Sequence, residues 1–355
     1  MRQCFSTTRF FATVRFFSTI RLFAAARIIG MPLVARIATA LLSVLVVGPL
    51  AAQSDFPSKP ITMVVPFPPA GSTDVLGRIL AVALSKQLQQ PVNVENTGGA
   101  GGTIGAGRVA RSAPDGYTVL FHNMAHSSAQ ALYAKLPYDP ITDFEPLGLV
   151  TDVPMILVAR KDFPSDNLAG LIAYAKANPG KVNFSNAGVG ATSHLCELLL
   201  GSVTGSKWTS VPYKGTGPAL MDMLGGQVDL ICDQPASTLV HIKSGKLKPI
   251  AVASKIRVGS VPDVPTFAEA GLQGFELAVW HGMYAPKGTP KPVLDKLATA
   301  LRAALKDPLL VQRFQEMSSQ IYPPEQVTPE GLRVFLKSEV ARWKTTLQRA
   351  GVQPE

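Results

Sequence analysis

The chain has 355 residues, enough for two domains of ordinary size, and at 46% hydrophobic and 16% charged it is globular and rather apolar. Its net charge of +10 is concentrated at the front: residues 1–54 hold six arginines and no acid. Without them 28 basic residues face 24 acids, about +4, so the basicity does not argue for a nucleic-acid partner.

From Met31 the chain reads MPLVARIATALLSVLVVGPLAAQSDFP. A short basic start, an apolar core over 37–47 and the small pair Ala51–Ala52 predict a secretory signal, with a leader over 1–53 and a periplasmic destination. The apolar core is too short to span a membrane comfortably. Leu50 departs from the cleavage pattern. The Arg-, Phe- and Ser-rich stretch before Met31 leaves three readings open: a long basic region, a start at Met31, or a transit peptide. After the leader only Cys196 and Cys232 remain. Two buried free thiols are expected, with a disulfide as the alternative in an oxidising compartment. No CxxC is present, so no zinc-ribbon or thioredoxin signal arises.

Strands and helices alternate from there on. ITMVVPF (61–67) is a predicted buried strand, and 73–90 an amphipathic helix with Leu76, Leu80, Leu84 and Leu88 on one face. PVNVEN (91–96) is a strand, followed by a glycine-rich loop, a helix through about 112 and a third strand, YTVLFH (117–122). This β-α-β-α-β order predicts a mostly parallel sheet covered on both faces. A second series starts at MILVAR (155–160), with a helix over 168–178 and strands at 181–186, 209–213, 227–233 and 248–254. Helices are expected over 193–204 and 217–225. LAVWHGMYAP (277–286) returns the chain to the first unit, and helices follow at 291–306, 308–317 and 329–350. Two α/β domains are expected: a discontinuous one over 54–154 plus 278–355, and one over 155–277.

Three loops occupy one logical position, at the carboxyl end of a strand and opening a helix. They are PFPPAGSTD (66–74), ENTGGAGGTIGAG (95–107) and NFSNAGVGATSH (183–194). Ligands of open α/β sheets bind at such ends, and exposed N–H groups with the helix dipole favour an anion. A dinucleotide is disfavoured. GAGRVA (105–110) matches G-x-G-x-x-A, but it lies far from its strand, no acid follows about twenty residues on, and no P-loop lysine is present.

No G-x-S-x-G occurs, and His122 and His126, spaced i,i+4, lack an HExxH setting or a third ligand. Neither a catalytic nucleophile nor a metal site is therefore expected. Asp74 reads as an early-helix acid favoured by the dipole, His194 as a helix-opening cap, Lys214 as a solvated lysine and Trp280 as packing near the second crossing. For Asp233, ending a buried strand, ligand contact and backbone capping are equally open.

Together these residues carry a resemblance. The runs FPSKPITMVVPFPPAGSTDVLGRILA, GGAGGTIGA, APDGYT, LPYDPITDF, VPYKGTGPALMDMLGGQVDLICD, HIKSGKLKPIAVAS and VPDVPTFAEAGLQGFE resemble the Bug family, the TctC-like extracytoplasmic receptors of tripartite tricarboxylate transport. The resemblance runs from Phe56 to the C-terminus. It implies an α/β, two-lobed periplasmic-binding-protein fold of the Venus flytrap, type II kind, acting as a monomeric receptor without cofactor. It implies a small carboxylate ligand, held by backbone and hydroxyl groups of two loops, and membrane permease subunits as partners. The first loop would supply Phe67, Ala70, Gly71, Ser72, Thr73 and Asp74. The second would supply Ser185, Asn186, Gly190, Ala191, Thr192, Ser193 and His194. Asn123 and Asp233 would meet the far end of the ligand, and Thr103 would reach in from the glycine loop at the cleft edge. Two departures stand out: Ala70 precedes Gly71 where the family often has two glycines, and HNMAHSSAQALY (122–133) is unusual. A ligand sensor for a signalling partner is the alternative, and an enzyme acting on a carboxylate or dinucleotide a more distant one.

Overall fold

The computed structural model describes residues 56–349 and 352–354, so the leader expected over 1–53 lies outside the described residues. The chain enters through β1 (Ile61–Val65), α1 (Ser72–Leu88) and β2 (Val92–Asn96). A 3-10 turn at Ala100–Gly102 leads into α2 (Thr103–Ala110), β3 (Thr118–Asn123) and α3 (Ala125–Leu132). β4 (Phe144–Pro154) runs directly into β5 (Ile156–Arg160). Then come α4 (Leu168–Ala177), β6 (Asn183–Asn186), α5 (Thr192–Thr204) and β7 (Thr209–Pro212). They are followed by α6 (Thr216–Leu224), β8 (Leu230–Asp233), α7 (Pro235–Lys243) and β9 (Leu247–Val252). The chain closes with β10 (Ala278–Pro286), α8 (Lys291–Ala304), α9 (Pro308–Glu316), β11 (Gln320–Ile321) and α10 (Pro329–Arg349).

Two sheets result, ordered β11-β4-β10-β3-β1-β2 and β7-β6-β8-β5-β9. Both are mixed rather than mostly parallel. Parallel pairing holds within β2-β1-β3 and β7-β6-β8, whereas β10, β4, β11, β5 and β9 pair antiparallel. A parallel neighbour needs a crossover, usually a helix. The chain passes between the sheets along β4–β5 and returns along β10 without one. β4 has no counterpart in the predicted elements, because Pro146, Gly148 and Pro154 make it read as a loop. Pro146 is accommodated opposite Tyr284, where the β10–β4 register shifts.

β1 is buried on both faces, as expected of a parallel strand with helices on either side. Met63 and Val65 pack with Leu76, Leu80 and Leu84 of α1 and with Leu297 and Leu301 of α8. Val64 faces the other way, toward Val109 of α2 and the core that includes Trp343. α1 exists because leucines recur at i,i+4, and it stops where Gln89 takes the left-handed conformation, φ 53°. The two crossings are tied together: Met155 N–H donates to the Leu277 carbonyl at 3.1 Å, and Ala253 N–H to the Met155 carbonyl at 2.8 Å. Trp280 is buried beside them, its indole N–H donating to Glu339 at 2.9 Å.

The expected free thiols are instead a disulfide. Cys196 of α5 and Cys232 of β8, 36 residues apart, are bonded. Both sit on the inner faces of packed elements, so the helix that starts at the second loop is tethered to the strand that ends at Asp233. Closing a loop of that length removes unfolded-state entropy worth about 2–4 kcal/mol. The double variant Cys196→Ala/Cys232→Ala is therefore expected to lose about that much in urea unfolding. An unchanged midpoint would show the bond contributes nothing to stability.

Candidate ligand-binding site

Four helices point their N-termini at one small cavity between the two sheets. They are α1 from the first lobe and α5, α6 and α7 from the second, each following directly on a strand end or its loop. None of the four N-cap residues, Gly71, Ala191, Gly215 and Gln234, makes a side-chain cap hydrogen bond. First-turn N–H groups of α1, α5 and α6 remain available to an anion, which the helix dipoles favour; α7 opens with Pro235, which has no N–H, and Asp233 takes the Gln234 N–H. The cavity has a volume of about 30 Å³, room for roughly one water. That is too small for a carboxylic acid. No lysine or arginine lines it.

Phe67, Gly71, Ser72, Thr73 and Asn123 line the cavity from the first lobe. Asn123 is fixed: its Oδ1 accepts from Ala125 N–H at 3.0 Å, so its Nδ2 donates to Thr73 Oγ1 at 3.0 Å. Behind Thr73 lies His281 of β10, fully buried, with Nε2 3.3 Å from the Thr73 hydroxyl. Burial pushes the His281 ring down to about 3, so it is neutral. Ser72 reaches across to the second lobe. Its hydroxyl donates to Ser237 Oγ at 2.9 Å and lies 3.4 Å from Asp233 Oδ1.

From the second lobe come Ala191, Thr192, Ser193 and Asp233, together with Ala187, Thr216 and Gln234. Ser193 Oγ accepts from Ala187 N–H at 2.8 Å and so closes its own loop. Asp233 accepts from the Thr216 hydroxyl and from Gln234 N–H at 2.7 Å. Burial raises its carboxyl to about 6, against the lowering effect of those donors. Two buried polar atoms of the lining have no hydrogen-bond partner in the protein: Thr192 Oγ1 and Gln234 Oε1. Orphaned buried polar groups are costly and call for a ligand or water.

The remaining residues expected at the site are placed in supporting positions outside the lining. Asp74 accepts from Ala70 N–H at 2.9 Å, from Asn96 at 2.8 Å and from Arg78 at 3.0 Å, so it ties down the first loop. Ala70, with φ 64°, takes a left-handed turn there. Ser185 donates to the Leu230 carbonyl. Asn186 donates to Glu197 at 2.7 Å and accepts from Gly188 N–H at 3.0 Å. His194 Nδ1 accepts from Gly190 N–H at 3.3 Å. Thr103 donates to the Ala100 carbonyl at 2.9 Å within its own turn.

Ala187, Thr216 and Gln234 were not expected. Thr216 was legible in principle, since KGTGPAL opens a helix after a strand by the same logic as the other loops. Gln234 follows Asp233 and precedes Pro235, a helix-starting residue. Lys214, beside Thr216, is exposed.

The glycine loop forms the rim. A Cβ on Gly101 would sit 2.6 Å from the Val189 carbonyl of the other lobe. Beside it, the Tyr133 hydroxyl donates to that same carbonyl at 2.6 Å. Gly102 instead fits against His122 and Phe67 of its own lobe.

Residues 76–352 match the family described as tripartite tricarboxylate transporter family receptor. Among solved structures, the periplasmic binding protein BugD is 47% identical, with a TM-score of 0.83 over 84% of this chain and all of BugD. MatC of Rhodopseudomonas palustris, with bound malate, is 40% identical, with a TM-score of 0.79 over 82% of this chain and 100% of MatC. A further R. palustris protein, with adipate, is 33% identical, with a TM-score of 0.80 over 84% of this chain and 100% of that one. These are two-lobed α/β solute-binding proteins like the fold described above. The chain therefore belongs to the tripartite tricarboxylate transporter receptor family of solute-binding proteins.

Proposed function

We propose that this protein is an extracytoplasmic receptor that closes its two lobes on a small carboxylate and delivers it to the permease subunits of a tripartite transporter. The observation that carries the reading is the convergence of three uncapped helix N-termini, those of α1, α5 and α6, on a cavity holding the orphaned Thr192 hydroxyl. Each N-terminus contributes about 0.3–1 kcal/mol to a bound anion, more where it is buried. Several together hold a carboxylate without an arginine. The malate and adipate carried by two relatives agree with this chemistry. The cavity lining offers hydroxyls and backbone donors, which suits capture and release of an acid.

Thermal-shift and calorimetric titration against di- and tricarboxylates, aromatic acids and amino acids test the reading. A ligand at 100 times its Kd stabilises the folded protein by about 2.7 kcal/mol, readily seen as a higher Tm. Saturable binding of a neutral sugar, with no response to any acid, would overturn it. In Thr192→Val the shape is kept and the hydroxyl lost, and affinity for the best acid is expected to fall about 10-fold. Ligand uptake that requires both this receptor and a tripartite permease, in reconstituted vesicles, tests delivery.

A further inference from the structure

The polar groups of the cavity divide into two unlike sets. The helix N-termini of α1, α5 and α6 supply donors. Against them stand two groups that can only accept, a carboxylate and an amide oxygen. Asp233 is the first. Its carboxylate takes the Thr216 hydroxyl on one oxygen and Gln234 N–H, with a longer contact from Ser72, on the other. A carboxylate offers about four acceptor sites, so capacity is left over. Gln234 Oε1 is the second, buried and with no partner in the protein. The Thr73 hydroxyl beside them is already engaged, accepting from Asn123 Nδ2 and lying 3.3 Å from Nε2 of the neutral His281 ring.

An acid with nothing but carboxylates and methylenes meets the donors well and leaves these oxygens unanswered. Buried acceptors left without a partner disfavour the complex, and ionised Asp233 beside a bound carboxylate adds like-charge repulsion. A hydroxyl or ammonium next to the ligand's carboxylate supplies the missing donor, and an ammonium also offsets the charge of Asp233. We infer that the site selects an acid bearing a hydrogen-bond donor, a hydroxy- or amino-substituted carboxylate, over its unsubstituted counterpart. The inference rests on the carboxylate reading above and narrows it.

The test pairs acids that differ only in that donor: succinate, glutarate and adipate against their 2-hydroxy and 2-amino forms, titrated into the full mature protein. At least one substituted acid is expected to bind about 10-fold or more tighter than its plain partner. The hydroxyl and ammonium arms separate the two donor types. In Asp233→Asn, whose amide can donate as well as accept, that ratio is expected to fall toward one. Gln234→Met, which removes Oε1 while keeping bulk, reads the same ratio should the first variant fail to fold. Plain diacids that bind as tightly as every substituted partner would overturn the inference and leave the carboxylate reading standing. A preference that persists undiminished in both variants would also overturn it. Failure of every acid of either kind would overturn the carboxylate reading itself.

Discussion

Gly101→Val is expected to abolish tight ligand binding while leaving the lobes folded. Gly101 holds φ 60°, and its missing Cβ is the space that the Val189 carbonyl of the opposite lobe occupies, at 2.6 Å. Real Cβ atoms do not approach backbone oxygen that closely, so the lobes must part at the rim. A receptor whose binding-competent closed form is depopulated loses affinity in proportion. Excluding closure by about 3 kcal/mol lowers the apparent affinity about 100-fold.

Valine also strains the left-handed backbone by about 1–2 kcal/mol, which is a stability effect independent of closure. Gly99→Val separates the two. Gly99 has φ 128°, and a Cβ there meets Ile104 of its own lobe. Both variants are expected to lower Tm, but only the one at 101 to lose affinity disproportionately and to show lobes held further apart in solution scattering. Tyr133→Phe removes the hydroxyl that bridges to Val189, and a loss of about 5-fold is expected from one hydrogen bond. Equal affinity in Gly101→Val and wild type would show that the rim does not take part in closure.

This contact also explains Gly101 within ENTGGAGGTIGAG, whereas Gly98, Gly102 and Gly105 are approached by Pro68, His122 and Pro66 of their own lobe. The sequence shows that backbone is closely approached there, not by what. At Gly101 the approaching group is another stretch of the same chain, 88 residues later, and local pattern carries no information about that. Loops at strand ends were legible for a different reason. Each announces itself by a strand, a glycine or small residue, and a hydroxyl opening a helix, as in Gly71–Ser72 and Ala191–Thr192. Asp233 was legible only as the end of a buried strand, with ligand contact and backbone capping equally open.

What the pattern does not separate is a residue that faces the cavity from one that braces it. Asp74 and Asn186 sit in the right loops, yet their polar atoms are consumed by Ala70, Arg78, Glu197 and Gly188. The antiparallel half of each sheet was hidden too. β4 hides behind two prolines, and β10 reads as a strand without revealing which way it runs.

Acid is expected to act on this protein in two opposed ways, with a plateau and then a collapse of stability. His122, His126 and His281 are buried in the first lobe, and burial lowers all three, His126 and His281 to about 3. Unfolded, each titrates near 6.5. Below that pH the unfolded chain takes up three protons that the native state refuses. Their contribution to stability is thus present above 6.5 and lost as pH falls, at about 4 kcal/mol per pH unit for the three.

Three acids oppose them. Burial raises Glu197 to about 7 and Asp233 and Asp152 to about 6. Between those values and the ordinary carboxyl range near 4 the native state is the one that takes up protons, so stability rises as pH falls, at a similar slope. From about 6 to about 4.5 the two sets nearly cancel. Below about 4 the acids are protonated in both states, only the imidazole set still acts, and stability falls steeply. Urea unfolding at pH 7, 5.5, 4.5 and 3.5 reads this shape. A steady loss from pH 6.5 downward would mean that the acids are not raised.

His126 isolates one side of the balance. Its ring lies among Tyr138, Phe144 and Tyr284, with centroids 4.9–5.7 Å away, a setting that suits an uncharged aromatic ring. His126→Phe keeps a ring there and removes one titration. Any packing penalty is the same at every pH, so the informative quantity is the change between pH 7 and pH 4. Over that interval the variant is expected to gain about 3 kcal/mol relative to wild type. Curves that run parallel would place the His126 proton in the native state and remove burial as the cause.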